Sequence, residues 1–337
     1  YVISDTGSDD NTAEIIKQFF AEKGIQGEIH HDEWVNFAHN RNCALQHAQG
    51  KTDYVLIFDA DDRFEGNFVL PEELTSDRYY LRMANSVTGA NVYFRTLMFR
   101  NDGSFYWRGV LHEFVEQRKK TVVEQKIFGD YYVISGRFGA RSNNPQKYFQ
   151  DAQVLEKAFY SPEDEDLKDR YAFYTAQSYR DADMYEKAIE WYAKRANLGG
   201  WYEEVYYSLL QIALLKIELD APLDEVQNLL LAAYEYRPQR AESLYHLARQ
   251  LRLHDKIKLA YIYATVAANI PLNKDILFVD HSVYEWKAKD ELAVSAYGVG
   301  NYQLCHDLCV ELLFNPAVPE QNKKRFLDNL MLAKKHL

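Results

Sequence analysis

Apolar and polar positions along the first part of the chain predict strands and helices in turn. Tyr1–Ser4 and Gly27–His31 are short apolar runs of strand type, and Phe37–Gln49 is predicted to be a helix. An apolar stripe at helical spacing lies between the two strands and consists of Ile15, Ile16, Phe19 and Phe20. A third apolar run, Tyr54–Phe58, follows the second helix. This order of strand, helix, strand, helix, strand is typical of an α/β fold.

The third apolar run ends in three carboxylates, Asp59, Asp61 and Asp62. A short continuous apolar run predicts a strand buried on both faces, and ligands bind where the carboxyl ends of such strands open. Side chains alternate along a strand, so Asp59 and Asp61 are expected to point to the same side. Two carboxylates aimed at one spot repel each other unless a cation joins them, and Mg²⁺ or Mn²⁺ takes oxygen ligands together with substrate phosphates. The cluster predicts either a metal–diphosphate site or a solvated acidic turn.

Two residues elsewhere in the α/β part are further site candidates. Asp5 ends the first predicted strand, where a carboxylate can accept hydrogen bonds from a base or a ribose. The alternative is a residue that only stabilises its own turn. Arg41 opens the second helix and can bind a diphosphate as a bidentate fork, or it is a surface charge.

A third candidate follows the apolar run that begins at Phe105 and contains Trp107. His112 can complete a metal shell, and Glu113 can act as a general base. The alternative for both is a structural role. Trp107 offers an aromatic face that supports a sugar ring or packs in the core.

The character of the chain changes at the predicted linker, Gly136–Pro145. Strand patterns dominate Arg78–Ile134, whereas helical patterns dominate the rest, which predicts domains 1–143 and 144–337. After a first pair of helices near Tyr171–Tyr192, helices are predicted at 203–218, 223–236, 241–252, 256–269, 284–298, 301–313 and 319–335. Their pairing and spacing indicate an array of tetratricopeptide-like helix hairpins.

Composition limits the classes of function. The net charge of -11 at pH 7 argues against a nucleic-acid binder that uses a broad basic surface. No apolar stretch reaches the ~20 residues of a transmembrane helix. The cysteines Cys43, Cys305 and Cys309 form no disulfide framework, which favours a reducing compartment, the cytoplasm. Cys305 and Cys309 share a predicted helix face, and buried helix cysteines are favoured over a zinc site because no second cysteine pair exists.

The ordered motifs resemble family 2 glycosyltransferases of the GT-A fold. The matching stretches are Asp5–Thr12, Phe37 with Arg41–Asn42, and Phe58–Asp62. Three further elements look like a subgroup that carries a tetratricopeptide-like (TPR-like) domain: Phe99–Asn101, the stretch from Trp107 to Glu113, and the helices that follow. The resemblance implies an α/β GT-A-like nucleotide-sugar-binding domain followed by an all-α TPR-like helical-repeat domain.

The resemblance also implies an activity: inverting transfer of a sugar from a nucleotide-diphosphate sugar, most often a UDP-sugar, to a hydroxyl acceptor. Mn²⁺ or Mg²⁺ is the implied cofactor. By this resemblance Asp5, Arg41, Asp59 and Asp62 contact the nucleotide sugar. Asp61 and His112 contact the metal, and Glu113 is the candidate base.

Two departures from the family pattern leave an alternative open. The family's first strand should lie immediately upstream of Tyr1, so the domain is expected to be N-terminally truncated. The Glu-Asp pair that often supplies the base is not visible. The alternative is a helical-repeat scaffold carrying an inactive glycosyltransferase-like domain. A phosphoryl-transfer enzyme is disfavoured because there is no Gly-rich phosphate loop. Paired exposed helices suggest a homodimer through the helical domain.

Overall fold

The computed structural model describes residues 1–84, 92–136 and 144–337, which form two compact units. The units are Tyr1–Leu167 and Lys168–Leu337. Most of the predicted linker lies outside the described residues. The helix Lys147–Phe159, which the sequence placed in the helical domain, belongs to the first unit.

Among the described residues the first unit contains ten strands, three α-helices and a short 3-10 helix, Glu165–Leu167. The strands are β1 (Val2–Asp5), β2 (Glu28–His31), β3 (Tyr54–Leu56), β4 (Arg63–Gly66), β5 (Arg78–Ala84), β6 (Tyr93–Arg100), β7 (Phe105–Arg108), β8 (Phe114–Gln117), β9 (Glu124–Lys126) and β10 (Tyr131–Ile134). The helices are α1 (Thr12–Glu22), α2 (Phe37–Ala48) and α3 (Lys147–Phe159). The predicted α/β order is confirmed.

The strands form three separate sheets. Strands β1 and β2 are parallel and are joined through α1, as expected for a βαβ unit. The main sheet has the order β3-β6-β5-β10-β4, with β9 also paired to β5. Strands β7 and β8 form an antiparallel ribbon. The main-sheet core contains Tyr79, Leu81, Met83, Leu97, Met98, Ile127, Tyr131 and Val133.

One detail of the predicted elements is wrong. Strand β3 pairs antiparallel with β6 and is an edge strand among the described residues, and its two faces are not both buried. Leu56 and Phe58 are accordingly 43% and 38% exposed. Helix α1 begins directly after Asn11 and has no buried residue, and Asp10 accepts from the Thr12 backbone N–H at 2.9 Å.

Asparagine side chains fix the position of α2. Asn36 caps the helix by accepting from the His39 backbone N–H at 2.9 Å. Asn40 is buried and donates to the Glu33 carbonyl. Asn42 bonds both backbone groups of Trp107 on β7, each at 2.8 Å. The helix is therefore fastened to the loop before it and to the β7–β8 ribbon, with Arg41 between these two attachments.

The second unit is a row of helices in which each helix packs on the next. They are α4 (Lys168–Asp181), α5 (Tyr185–Leu198), α6 (Tyr202–Glu218), α7 (Leu223–Tyr236), α8 (Glu242–Leu253), α9 (Ile257–Asn269), α10 (Ala288–Gly298), α11 (Tyr302–Phe314) and α12 (Glu320–Lys334). A π-helical turn, Val283–Lys287, leads into α10. The predicted helix-hairpin array is confirmed.

Alanine, leucine and aromatic side chains form the interior of the helical unit. Ala213, Ala233, Ala260 and Ala264 are fully buried and allow close helix packing. Cys305 and Cys309 are also buried and unbridged, as expected for helix cysteines. Among the described residues, no helix combines the length and the apolar character that crossing a bilayer requires.

A buried charged pair organises the start of α8. Arg240 is fully buried and donates from two nitrogens to Glu242, the shortest contact being 2.8 Å. The segment between α9 and α10 is held nearby, because Glu203 accepts from the backbone N–H groups of Ile276 and Leu277 at 2.8 and 2.7 Å. Paired in this way, the buried charges are compensated.

Candidate functional site

The chain turns sharply after β3. The Ile57 N–H still donates to the Leu97 carbonyl of β6, but the Asp62 N–H then donates to the Asp59 carbonyl at 3.0 Å. Residues Asp59 to Asp62 therefore form a turn, which we call the acidic turn. The expectation that strand alternation orients Asp59 and Asp61 is wrong, because these residues are not extended.

Arg41 connects the acidic turn to Glu113. Its Nη2 lies 2.6 Å from Asp59 Oδ1, and its Nε lies 2.8 Å from Glu113 Oε1. The guanidinium also lies 4.7 Å from the centre of the Trp107 ring. Burial lowers the pKa of Arg41, but Asp59 and Glu113 raise it by more, so the net shift is upward. Arg41 is therefore neither a loose surface charge nor a free anion-binding fork.

Asp62 is the most buried carboxylate of the acidic turn. Its residue surface is 9% exposed, and within the described residues neither side-chain oxygen has a hydrogen-bond partner of normal geometry. Burial raises the pKa of Asp62, the nearby Asp59 raises it further, and Ser135 opposes the shift. A buried carboxylate without partners is costly unless it is protonated or meets a cation.

Asp61 is fixed through its backbone. The Gly136 N–H donates to the Asp61 carbonyl at 3.0 Å, so the segment that follows β10 lies directly on the acidic turn. The side chain of Asp61 is half-buried. This close approach holds Asp61 in place beside Asp62.

The carboxylate of Asp5 makes hydrogen bonds within the turn that follows β1. Its Oδ1 accepts from the Ser8 hydroxyl at 2.6 Å and from the Ser8 backbone N–H at 3.1 Å, and its Oδ2 lies 3.0 Å from His31 Nδ1. The Ser8 hydrogen bonds lower the pKa of Asp5, and His31 lowers it further. These contacts match the turn interpretation of Asp5 and hold its carboxylate ionised.

His112 and Glu113 lie in a tightly bent segment between β7 and β8. Gly109 and His112 both have positive φ, +94° and +54°. His112 is exposed, whereas the Glu113 side chain is only 10% exposed and faces Arg41. The structure thus brings Arg41, Asp59 and Glu113 together, while His112 is held in an unusual backbone conformation beside them.

Two residues of the candidate site were not predicted from the sequence, and the role of a third was left open. Asn42 was noted only as part of a motif, yet it ties α2 to β7. Arg95 lies 4.0 Å from Asp59, and an arginine inside the apolar strand β6 was the available signal. Trp107 is 3% exposed, so it supports Arg41 from the core and does not present a face for a sugar ring.

No group of three or more His, Cys, Asp or Glu side chains within residues 1–84, 92–136 and 144–337 is arranged to hold a metal ion. The orphaned, buried carboxylate of Asp62 nevertheless fits a nearby cation. Carboxylates of the acidic turn and Glu113 outnumber the guanidiniums of Arg41 and Arg95. The local charge is therefore negative, as a divalent cation requires.

Comparison with protein families matches residues 1–75 to the model described as glycosyl transferase family 2. No curated protein matches the chain.

Three solved structures show a distant similarity. MamA is 12% identical, with 62% of this chain and 99% of that chain covered and a TM-score of 0.39. BtubC (BKLC) from P. vanneervenii is 16% identical, with 55% and 74% covered and a TM-score of 0.40. A thermophilic TPR protein from Thermus thermophilus is 14% identical, with 55% and 91% covered and a TM-score of 0.36. All three TM-scores are below 0.5, so these similarities do not establish a function.

The chain thus contains an α/β unit, in which the acidic turn follows β3, and a TPR-like row of helices. Residues 1–75, within the α/β unit, are similar to the family 2 glycosyltransferases, as the match to that family's model shows.

Proposed function

We propose that the protein is an inverting, metal-dependent glycosyltransferase that moves a sugar from a UDP-sugar to a hydroxyl acceptor. The observation that carries this proposal is the assembly of Arg41, Asp59 and Glu113 beside the orphaned carboxylate of Asp62. Such a concentration of charges at a turn following a sheet strand suits a charged donor. The match to glycosyl transferase family 2 supports the class of reaction.

The residues of the acidic turn would hold the donor. Asp59 is oriented by Arg41 and would accept from the ribose, with Asp5 as the proposed partner for the base and Asp62 as a further donor contact. Asp61 and His112 would hold Mn²⁺ or Mg²⁺. These ions are bound through one or two carboxylates together with substrate phosphates, so a preformed three-ligand cluster is not required. When bound, the cation would neutralise the diphosphate as it leaves.

Glu113 is the proposed base. Arg41 takes up one of its oxygens, Oε1, and fixes the orientation of the carboxylate. As a general base, this carboxylate would accept the proton of the acceptor hydroxyl. A carboxylate on the face opposite the leaving diphosphate permits a single displacement with inversion. Help of this kind is typically worth ~10²–10⁴ in rate.

The test is release of UDP from UDP-glucose, UDP-galactose and UDP-N-acetylglucosamine, with MnCl₂ or with EDTA. We expect metal-dependent turnover with at least one donor, and its loss in Asp61→Asn and Glu113→Gln. Asp53→Asn is the matched control, because Asp53 precedes the same strand at its other end. Full turnover in EDTA, or in Asp61→Asn, would contradict the proposal.

The second candidate is a helical-repeat scaffold with an inactive α/β domain. It is favoured by one observation: Arg41 already forms internal ion pairs with both Asp59 and Glu113. A scaffold would show no turnover and no saturable donor binding in the same assays.

We also propose, from the unbridged cysteines, that the protein works in the reducing cytoplasm. A homodimer through the helical unit remains a proposal that sedimentation would test.

A further inference from the structure

A polar cleft lies at the opposite end of β3 from the acidic turn. It has a volume of about 430 Å³ and lies between α2, the end of β6 and the start of β7. Tyr54 at the start of β3 pairs with Arg100, which lines the cleft, whereas the acidic turn follows the other end of β3. None of Arg41, Asp59, Asp61, Asp62 and Glu113 lines the cleft. The cleft is therefore separate from the proposed donor site.

The walls of the cleft are fixed by hydrogen bonds that cross between elements. Asn42 bonds the backbone of Trp107 on one side. On the other side Asn101 donates to the Ala48 carbonyl at 2.7 Å. Both bonds join α2 to the strands, so the cleft is preformed and a ligand would not have to order it.

The groups that face the cleft are available for a ligand. The side chains of Gln46, Gln49 and Arg118 are exposed, and none has a hydrogen bond or ion pair within the described part of the chain. The Arg118 guanidinium lies 4.3 Å from the centre of the Tyr106 ring. Stacking of this kind orients the guanidinium while its N–H edge stays free.

The chemistry of these groups indicates the kind of ligand. Each glutamine amide both donates and accepts, which matches the hydroxyl groups of a sugar. A guanidinium fork binds a carboxylate through two parallel hydrogen bonds. In a chain of net charge -11, an unpaired arginine beside two free amides selects a ligand that is both hydroxylated and anionic.

We propose that this cleft, defined by Gln46, Gln49, Tyr106 and Arg118, is a second binding site that takes a carboxylated oligosaccharide. The assignment of the ligand as a sugar chain rests on the proposed function. On this account the cleft holds a part of the acceptor glycan that lies away from the transferred sugar. Arg118 binds the uronate carboxylate, and the two amides bind neighbouring hydroxyls.

The test is calorimetric titration of the full chain with three probes: tetragalacturonate, the neutral cellotetraose and sodium phosphate. No nucleotide or metal is added, so the result does not depend on donor binding, and failure here is distinguishable from failure of the proposed function. We expect tetragalacturonate to bind and both other probes to bind at least tenfold more weakly.

Variants locate the binding. Arg118→Met is expected to weaken tetragalacturonate binding tenfold or more, and Gln46→Ala with Gln49→Ala severalfold. Arg249→Met is the matched control, because Arg249 is an exposed arginine of the second unit. Undiminished binding in Arg118→Met, equal binding of cellotetraose or phosphate, or no heat at millimolar tetragalacturonate would overturn the proposal. Circular dichroism would establish that the variants are folded.

Discussion

Gly136 lies against the backbone of Asp61 so closely that no side chain fits between them. A Cβ atom built on Gly136 would be 2.2 Å from the Asp61 carbonyl oxygen and 2.8 Å from the Asp61 Cβ. The neighbour is backbone and cannot rotate away. The glycine therefore allows the segment after β10 to fix the acidic turn.

The substitution Gly136→Ala should consequently destabilise the first unit by about 1–3 kcal/mol and displace Asp61. Urea unfolding measures the stability, and titration with UDP and Mn²⁺ measures the displacement. Gly129→Ala is the control, since its Cβ would meet a ring atom of Tyr131 at 3.2 Å, and a ring can shift. Equal effects of the two substitutions would contradict this role of Gly136.

Removing Arg41 should leave Glu113 without this cation and Asp59 with the longer contact of 4.0 Å to Arg95. The side chains of Arg41, Asp59 and Glu113 are 20%, 31% and 10% exposed. The cost of Arg41→Met should therefore lie between that of exposed and buried pairs, at about 1–3 kcal/mol of unfolding free energy. Arg63→Met, which breaks the exposed pair with Glu65, should cost less than about 0.5 kcal/mol. If Arg41→Met lowered the unfolding free energy as little as Arg63→Met does, the ion pairs of Arg41 would not contribute to stability.

Asp62 should make the stability of the first unit depend on pH. Burial raises the pKa of Asp62 in the folded state above the ordinary value of 3.8. Between the unfolded and folded pKa the native state binds more protons, so this group makes stability fall as pH rises. Asp62→Asn should remove this pH-dependent loss of stability. The stability of the variant relative to the wild type should therefore increase from about pH 4 upward.

The control for this prediction is Asp77, a carboxyl group whose pKa is shifted in the opposite direction. The Val123 backbone N–H lowers the pKa of Asp77, so Asp77 stabilises the fold above its unfolded pKa and loses this effect as pH falls. Asp77→Asn should therefore lose stability relative to the wild type as pH rises. Urea unfolding at several pH values measures both variants, and parallel slopes would contradict the assignment of Asp62.

The buried pair of Arg240 and Glu242 should dominate the stability of the helical unit. The two side chains are 0% and 2% exposed. Arg240→Met leaves a buried, uncompensated carboxylate, and it should cost about 3–5 kcal/mol. Lys289→Met, at the exposed pair with Glu311, is the control and should cost below about 1 kcal/mol. Circular dichroism during thermal unfolding measures both variants, and comparable losses would contradict the expected effect of burial.

Much of the fold could be predicted because local patterns specify it. The helices beginning at Tyr202, Leu223 and Ile257 start within about one residue of their predicted positions, since apolar spacing and turn residues determine them. Strand β3 was misjudged, because its sequence cannot reveal whether other elements cover both of its faces, and Leu56 is in fact 43% exposed. Coverage of a strand's faces is a property of the assembled fold.

The candidate site was predicted as a set of residues but not as an arrangement. Arg41, Asp59 and Glu113 were each identified, yet nothing in the sequence indicates that one guanidinium bonds both carboxylates across separations of 18 and 72 residues. Asp59 and Asp61 were assigned directions from strand alternation, which fails because the chain turns there. Long-range contacts of this kind depend on where α2 packs.

The most direct test of the account is calorimetric titration of UDP in the presence of Mn²⁺. The account predicts saturable binding to the wild-type chain that needs the metal, disappears in Asp61→Asn and persists in Asp53→Asn. Absence of binding to the wild type, or equal affinity in Asp61→Asn, would contradict the claim that the acidic turn holds a nucleotide-sugar donor through a cation.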